Sequence, residues 1–425
     1  MEKKYIEETQ NLIDFIKKSY SPFHVVSNVK DMLNKEGFIE LKEEERFNIE
    51  KGKSYYVSRN NSSLIAFKIP NKYTGYSIIA SHTDSPSFKI KSNPEVVVDN
   101  KYTTLNVEGY GGMLCAPWFD RPLSIAGRVF LDSSTGVVEK LINFDKDLVS
   151  IVNLAIHQNK DANNSYKYSI QKDMLPIIGL GNKKGQLTNL IADQFKVDPL
   201  SILDSDLFLY NRMEGTIWGF EDELYSTPKL DDLQCAYSSI RALIDTPLTN
   251  TISLCALFDN EEVGSGTKQG ALSDFLVTII DRISFALNLD IEEQSMMQAG
   301  SFMLSADNAH SMHPNHKEKC DITNHPVAGG GIVIKYSANQ KYTTDAHSGA
   351  MFKKLLIENE IPYQEFFNNS DIPGGSTLGN LSNQQYSLKS VDMGAAQLAM
   401  HSPYETGGTK DTYYMISAMK AFLKR

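Results

Sequence analysis

GYSIIASHTD, residues 75–84, is the stretch whose reading decides the fold. Its centre, Ile78-Ile79-Ala80, is uninterruptedly apolar, which suits a strand buried on both faces in a parallel sheet covered by helices. Polar and reactive residues begin where this run stops, and loops beyond strand ends are where open sheets place their sites. SLIAFKI from Ser63 reads as another strand. Upstream, one helix precedes the Ser21-Pro22 break and a second runs to about Gly37. Downstream, KLDDLQCAYSSIRALID reads as a helix, TISLCALFDN as a strand and DFLVTIIDRISFAL as a helix. A last helix starts near Thr409, with Tyr413, Ile416, Met419 and Leu423 roughly periodic.

Between about Pro94 and Phe220 the texture differs. Short β-rich runs, PEVVVD, TTLNV and LSIAGRVFLD, are punctuated by Gly109, Gly111, Gly112 and Gly127, and a polar segment near residues 159–167 reads as a loop. The simplest account is an α/β/α sandwich with a mostly parallel central sheet, residues 1–93 and 221–425, split by an inserted β-rich domain, residues 94–220.

Size agrees with two domains, since 425 residues exceed what one compact core usually takes. Hydrophobic residues at 41% and charged residues at 22% are ordinary for a globular protein. A formal net charge of -10 argues against nucleic acid, which needs a basic face. Cys115, Cys235, Cys255 and Cys320 are scattered without a C-x-x-C pair, so neither a disulfide framework nor a thiolate zinc site is expected. The N-terminal segment lacks the apolar stretch of a signal peptide, and no run approaches a membrane span of about 18 residues. A cytoplasmic protein with no membrane partner is the expectation.

Five segments carry chemistry. In SHTDSPSFKIK, His82 and Asp84 share one side of an extended chain, where a carboxylate can orient a ligating imidazole. In KLDDLQ, Asp231 opens a helix, as a ligand or simply as an N-cap. In DNEEVGSGTKQGA, Glu261 and Glu262 are adjacent at a strand end, where like charges are costly unless a cation neutralises them. One glutamate there can ligate while the other serves as general base, and the alternative is a solvated acidic loop. In LSADNAHSMHPNH, Asp307 follows an apolar run, whereas His310, His313 and His316 read as surface or supporting groups. In LAMHSPYETGG, His401 sits in a polar loop before the final helix. His82, Asp231, Glu262, Asp307 and His401 together give imidazoles and carboxylates without thiolate, which suits a catalytic pair of zinc, manganese or cobalt ions. One aspartate shared between ions about 3.5–4 Å apart would let the pair bridge a hydroxide.

The ordered set SHTDSPSFKIK, YGG with WFDRPLSIAGRV, LAIHQN, LDDL, DNEEVGS, SADNAHSMHPN, Gln340-Lys341-Tyr342 and MHSPYE resembles the aspartyl aminopeptidase family, its bacterial-type members in particular. The likeness implies a di-metal exopeptidase releasing N-terminal Asp or Glu from peptides, with two zinc ions per subunit. It implies Asp231 as the bridging ligand, His82 and Asp307 on one ion, and Glu262 and His401 on the other. Glu261 would be the general base and Asp84 the support of His82. Lys335 and Tyr342 would line the substrate pocket. The inserted domain would mediate dimerisation, carry His157 to the neighbouring active site, and build dimers into a tetrahedral dodecamer. Asp232 stands where the family usually has Asn, Lys229 where Arg is common, and Cys320 where His is frequent. SPYETGG also differs from eukaryotic-type relatives, and these departures leave open a preference for neutral residues. A two-metal deacylase would share the ligands but lack an anchor for a free amine. A non-enzymatic assembly protein would be expected to lack ligands or base, and none is missing.

Overall fold

The computed structural model describes every residue, Met1–Arg425. The chain divides into two compact units: residues 1–84, 215–400 and 405–425 form the first, and residues 85–214 with 401–404 the second.

The first unit is built on a mixed sheet of 13 strands. At its centre the strand Tyr76–His82 runs parallel to Ile252–Phe258 on one side and to Phe302–Ala306 on the other. Phe302–Ala306 is in turn parallel to Lys389–Leu398, and Ser63–Lys68 closes antiparallel on Ile252–Phe258. All seven residues of Tyr76–His82 are buried, as the unbroken apolar run requires. Alternation along this strand sends Ile79 into one hydrophobic layer and Ile78 and Ala80 into the other.

The Ile79 layer is closed by the helices Lys3–Lys18, Pro22–Lys35, Leu230–Asp245 and Asp411–Leu423, contributing Leu12, Val29, Ile240 and Met419. The opposite layer takes Phe275, Ile279 and Ile283 from the helix Phe275–Ala286. Helices on both faces of this mixed sheet, parallel at its centre, give the sandwich that the sequence pattern leads one to expect. The helix Ala346–Glu358, with Phe352 and Leu356 buried, had no clear apolar signal of its own.

The second unit holds an antiparallel sheet of six strands, in the order Gly136–Asn143, Leu123–Ser133, Ile202–Asn211, Ser87–Val98, Tyr102–Tyr110 and Ile177–Leu180. Phe88, Val107, Ile125 and Leu209 form its core with Trp118. Leu187 and Ile191 of the helix Gln186–Phe195 join that core, a helix that the β-rich texture did not announce. The strand Ser87–Val98 runs past Pro94, so the chain enters this unit before the composition changes. No helix is long and apolar enough to cross a membrane.

Because Ile79 is fully buried between the central strand and its helices, Ile79→Ala should destabilise the first unit by about 2–5 kcal/mol. The check is chemical denaturation followed by far-UV dichroism, where an unchanged midpoint would mean that this layer is loosely packed.

Candidate metal centre

Three neighbouring parallel strands bring the acidic loops to one place. Phe258 is in register with His82, and Ser305 with Ala80, so Asp259 to Glu262 and Asp307 leave the sheet at the level of His82. This is the carboxyl end of the strands, where an open sheet leaves room for a site. Asp231 enters from the start of Leu230–Asp245, in non-helical backbone joined to Asp232 by a cis peptide.

His82, Asp231, Asp232 and Asp307 are all buried and offer ligand atoms within 4.8 Å of one another. His82 also shares a 4.8 Å neighbourhood of ligand atoms with half-buried Glu261 and Glu262. His82 Nε2 lies 3.5 Å from Asp231 Oδ1. The other ring nitrogen, Nδ1, is 3.0 Å from the Asp84 carbonyl oxygen and 3.3 Å from its Oδ1. The Asp84 carboxylate also accepts the backbone N–H groups of Glu261 at 3.2 Å and Glu262 at 3.1 Å. Fully buried Asp84 therefore ties the His82 strand end to the two glutamates.

Electrostatics here are severe. Burial pushes Glu261 up to about 8, with Asp307, Asp84 and Asp231 adding to it against the pull of His82. Burial and then Asp231 raise Glu262 well above the usual carboxylate range. Burial alone would lower His82, but Asp232, Asp231 and Asp84 outweigh it and hold the imidazole well above its ordinary value. Carboxylates this crowded resist ionisation unless a cation joins them.

Lys335 is 2% exposed, and its Nζ donates to the carbonyls of Asp307 at 2.7 Å and Asn308 at 3.3 Å. Burial would lower its pKa, yet Asp307, Tyr342 and Asp392 raise it. The Tyr342 ring centroid is 5.2 Å from Nζ.

Residues 15–423 match the family model described as aminopeptidase I zinc metalloprotease (M18). The chain belongs to the M18 aminopeptidase family. A probable M18 family aminopeptidase 2 of Clostridium novyi is 44% identical over 429 residues, covering 99% of each chain. The solved Ape4 in complex with Nbr1 superposes with a TM-score of 0.95 at 33% identity, covering 100% of this chain and 87% of that one. The S. cerevisiae mApe1 dodecamer gives 0.87 at 27% identity, covering 99% and 97%. As a member of the M18 family this protein is a metal-dependent aminopeptidase, a hydrolase. The donor set fits that family's zinc: imidazole and carboxylate oxygens without thiolate, converging where negative charge needs a cation.

His157 is exposed in a turn of the second unit. His401 belongs to the short segment assigned to that unit, with its Nδ1 against the Gly112 carbonyl. His310, His313 and His316 are exposed beside a separate cavity that Cys320 and His325 also line. Asp232, legible in the sequence only as a departure, is fully buried and accepts the His82 backbone N–H at 3.2 Å. Asn308, Gln397 and Glu405, which approach Asp231 and Asp307 from behind, had no periodicity or spacing to mark them.

The backbone leaves Asp307 little room to move. A Cβ on Gly394 would lie 2.0 Å from the Asp307 carbonyl oxygen. Gly394→Ala should therefore shift Asp307 and weaken zinc binding about tenfold or more, the size of effect found when groups supporting a ligand are lost. Zinc content after dialysis against a chelating buffer measures this, and undiminished content would show that Asp307 is not a ligand or did not move.

Proposed function

We propose that this M18 aminopeptidase binds two zinc ions, shares Asp231 between them, and removes acidic N-terminal residues from peptides. The observation that carries the reading is the convergence of His82, Asp307, Glu261 and Glu262 at the ends of adjacent strands with Asp231 from the start of the helix Leu230–Asp245. In this reading His82 and Asp307 complete one ion, and Glu262 and His401 the other. Manganese or cobalt would suit the same nitrogen and oxygen donors.

When bound, the ions supply the Lewis acidity that polarises the scissile carbonyl and readies water for attack near neutral pH. The residues do the rest. Glu261, fixed through its backbone N–H on Asp84, takes the proton of the attacking water and passes it to the leaving amine. Asp84 holds His82 in orientation through Nδ1. Acidic side chains of the cluster attract the free α-amine, which restricts cleavage to the chain end.

Preference for Asp or Glu rests on Lys335. Its ammonium has three donors, and two go to carbonyl oxygens. Asp307 Oδ1 is 3.7 Å away, beyond hydrogen-bond range, so one N–H can take a substrate carboxylate with Tyr342 alongside. A neutral preference is the second reading, favoured by the deep burial of Lys335 and its attraction to Asp307. Self-association follows the dodecameric mApe1 relative: dimers through the second unit would bring exposed His157 to a neighbouring copy, where it can stabilise the developing oxyanion.

Glu261→Gln should lower turnover about 10²–10⁴-fold while zinc content stays near normal. Retained turnover in a metal-loaded sample would remove Glu261 as the base. Lys335→Met should cut the ratio of Asp- to Leu-reporter cleavage by about 10- to 100-fold, the weight of one charged hydrogen bond. An unchanged ratio selects the neutral reading.

A further inference from the structure

Behind the metal cluster, within the first unit, lies a closed ring of buried polar side chains. The peptide group between Leu230 and Asp231 is held at both ends. Its N–H, on Asp231, donates to Glu405 Oε2 at 3.0 Å, and its carbonyl, on Leu230, accepts from Asn308 Nδ2 at 3.2 Å. Gln397 joins the two holders: its Nε2 donates to Glu405 Oε1 at 3.2 Å, and its Oε1 accepts from Asn308 Nδ2 at 2.8 Å. Glu405, Gln397 and Asn308 are each at most 3% exposed.

We infer that Glu405, braced by Gln397 and Asn308, is a positioning residue that sets Asp231 against Asp307 for metal binding. Satisfying a buried N–H would need only some acceptor. The ring does more, because Asn308 directly follows Asp307, so the same four bonds fix two ligand-bearing segments relative to each other. Asn308 is itself pinned: its Oδ1 accepts Ala395 N at 3.0 Å, and its carbonyl accepts from Lys335. The carboxylate of Glu405 gives the Asp231 N–H a charge-assisted acceptor, stronger than a neutral one. With Asp231 shared between two ions, an error in its placement weakens both. The inference rests on the two-ion reading above.

The test is a zinc titration of the metal-free full-length chain in competition with a fluorescent chelator. Glu405→Ala should weaken zinc binding about 10- to 100-fold, as loss of a group supporting a ligand does. Glu405→Gln keeps an oxygen for the Asp231 N–H but turns an amide N–H toward Gln397 Nε2, so it should recover only part of that loss. Gln397→Met opens the ring without touching the held peptide, and should weaken zinc binding several-fold; it carries the test if Glu405→Ala does not fold. Equal affinity in wild type, Glu405→Ala and Gln397→Met overturns the inference while leaving the peptidase reading intact. Equal losses in Glu405→Ala and Glu405→Gln also overturn it, since an acceptor kept for the Asp231 N–H would then contribute nothing. A wild-type chain that takes up no zinc fails the two-ion reading and this inference with it.

Discussion

Crowded negative charge at the ends of buried strands is the constraint from which the rest of the first unit follows. Buried Asp231, Asp232 and Asp307 and half-buried Glu261 and Glu262 surround one imidazole. Without a cation, burial and mutual repulsion push Glu262 and Asp232 well above ordinary carboxylate behaviour. A bound zinc ion would reverse that balance, and so the cluster that is least comfortable alone is the one best suited to a metal.

Holding such a cluster demands rigid support, and the sheet gives it. The three strands that deliver His82, Glu261 with Glu262, and Asp307 are packed on both faces by fully buried aliphatic and aromatic side chains. Hydrogen bonds then refine what packing fixes coarsely. Asp84 joins one strand end to the next, Lys335 ties down the Asp307 and Asn308 carbonyls, and Gly394 lets the adjoining strand pass close behind Asp307.

Much of this architecture was legible in the sequence because it rests on local signals. Ile78-Ile79-Ala80 and ISLCALF are continuous apolar runs, and a chain can hide them only in a sheet covered on both faces. The adjacency of Glu261 and Glu262 at such a strand end was equally visible. What could not be read locally is what depends on distant segments meeting. Glu405 approaches Asp231 from 174 residues away, and Gln397 reaches Asn308 across 89. Polar residues engaged in buried networks have no periodicity, so nothing marked Gln397 or Asn308. The helix Gln186–Phe195 escaped for a related reason: it is short, it begins beside Gly185 within a β-rich stretch, and its buried face is narrow. Asp232 was conspicuous as a second acid but gave no hint of which way it would turn.

The central claim is that two cations share Asp231. Crystals grown with zinc, with diffraction data collected on either side of the zinc absorption edge, test it most directly. The account predicts two anomalous peaks about 3.5–4 Å apart, both within bonding distance of Asp231. One should touch His82 and Asp307, and the other Glu262 and His401. A single peak, or a pair that leaves Asp231 out, would contradict it.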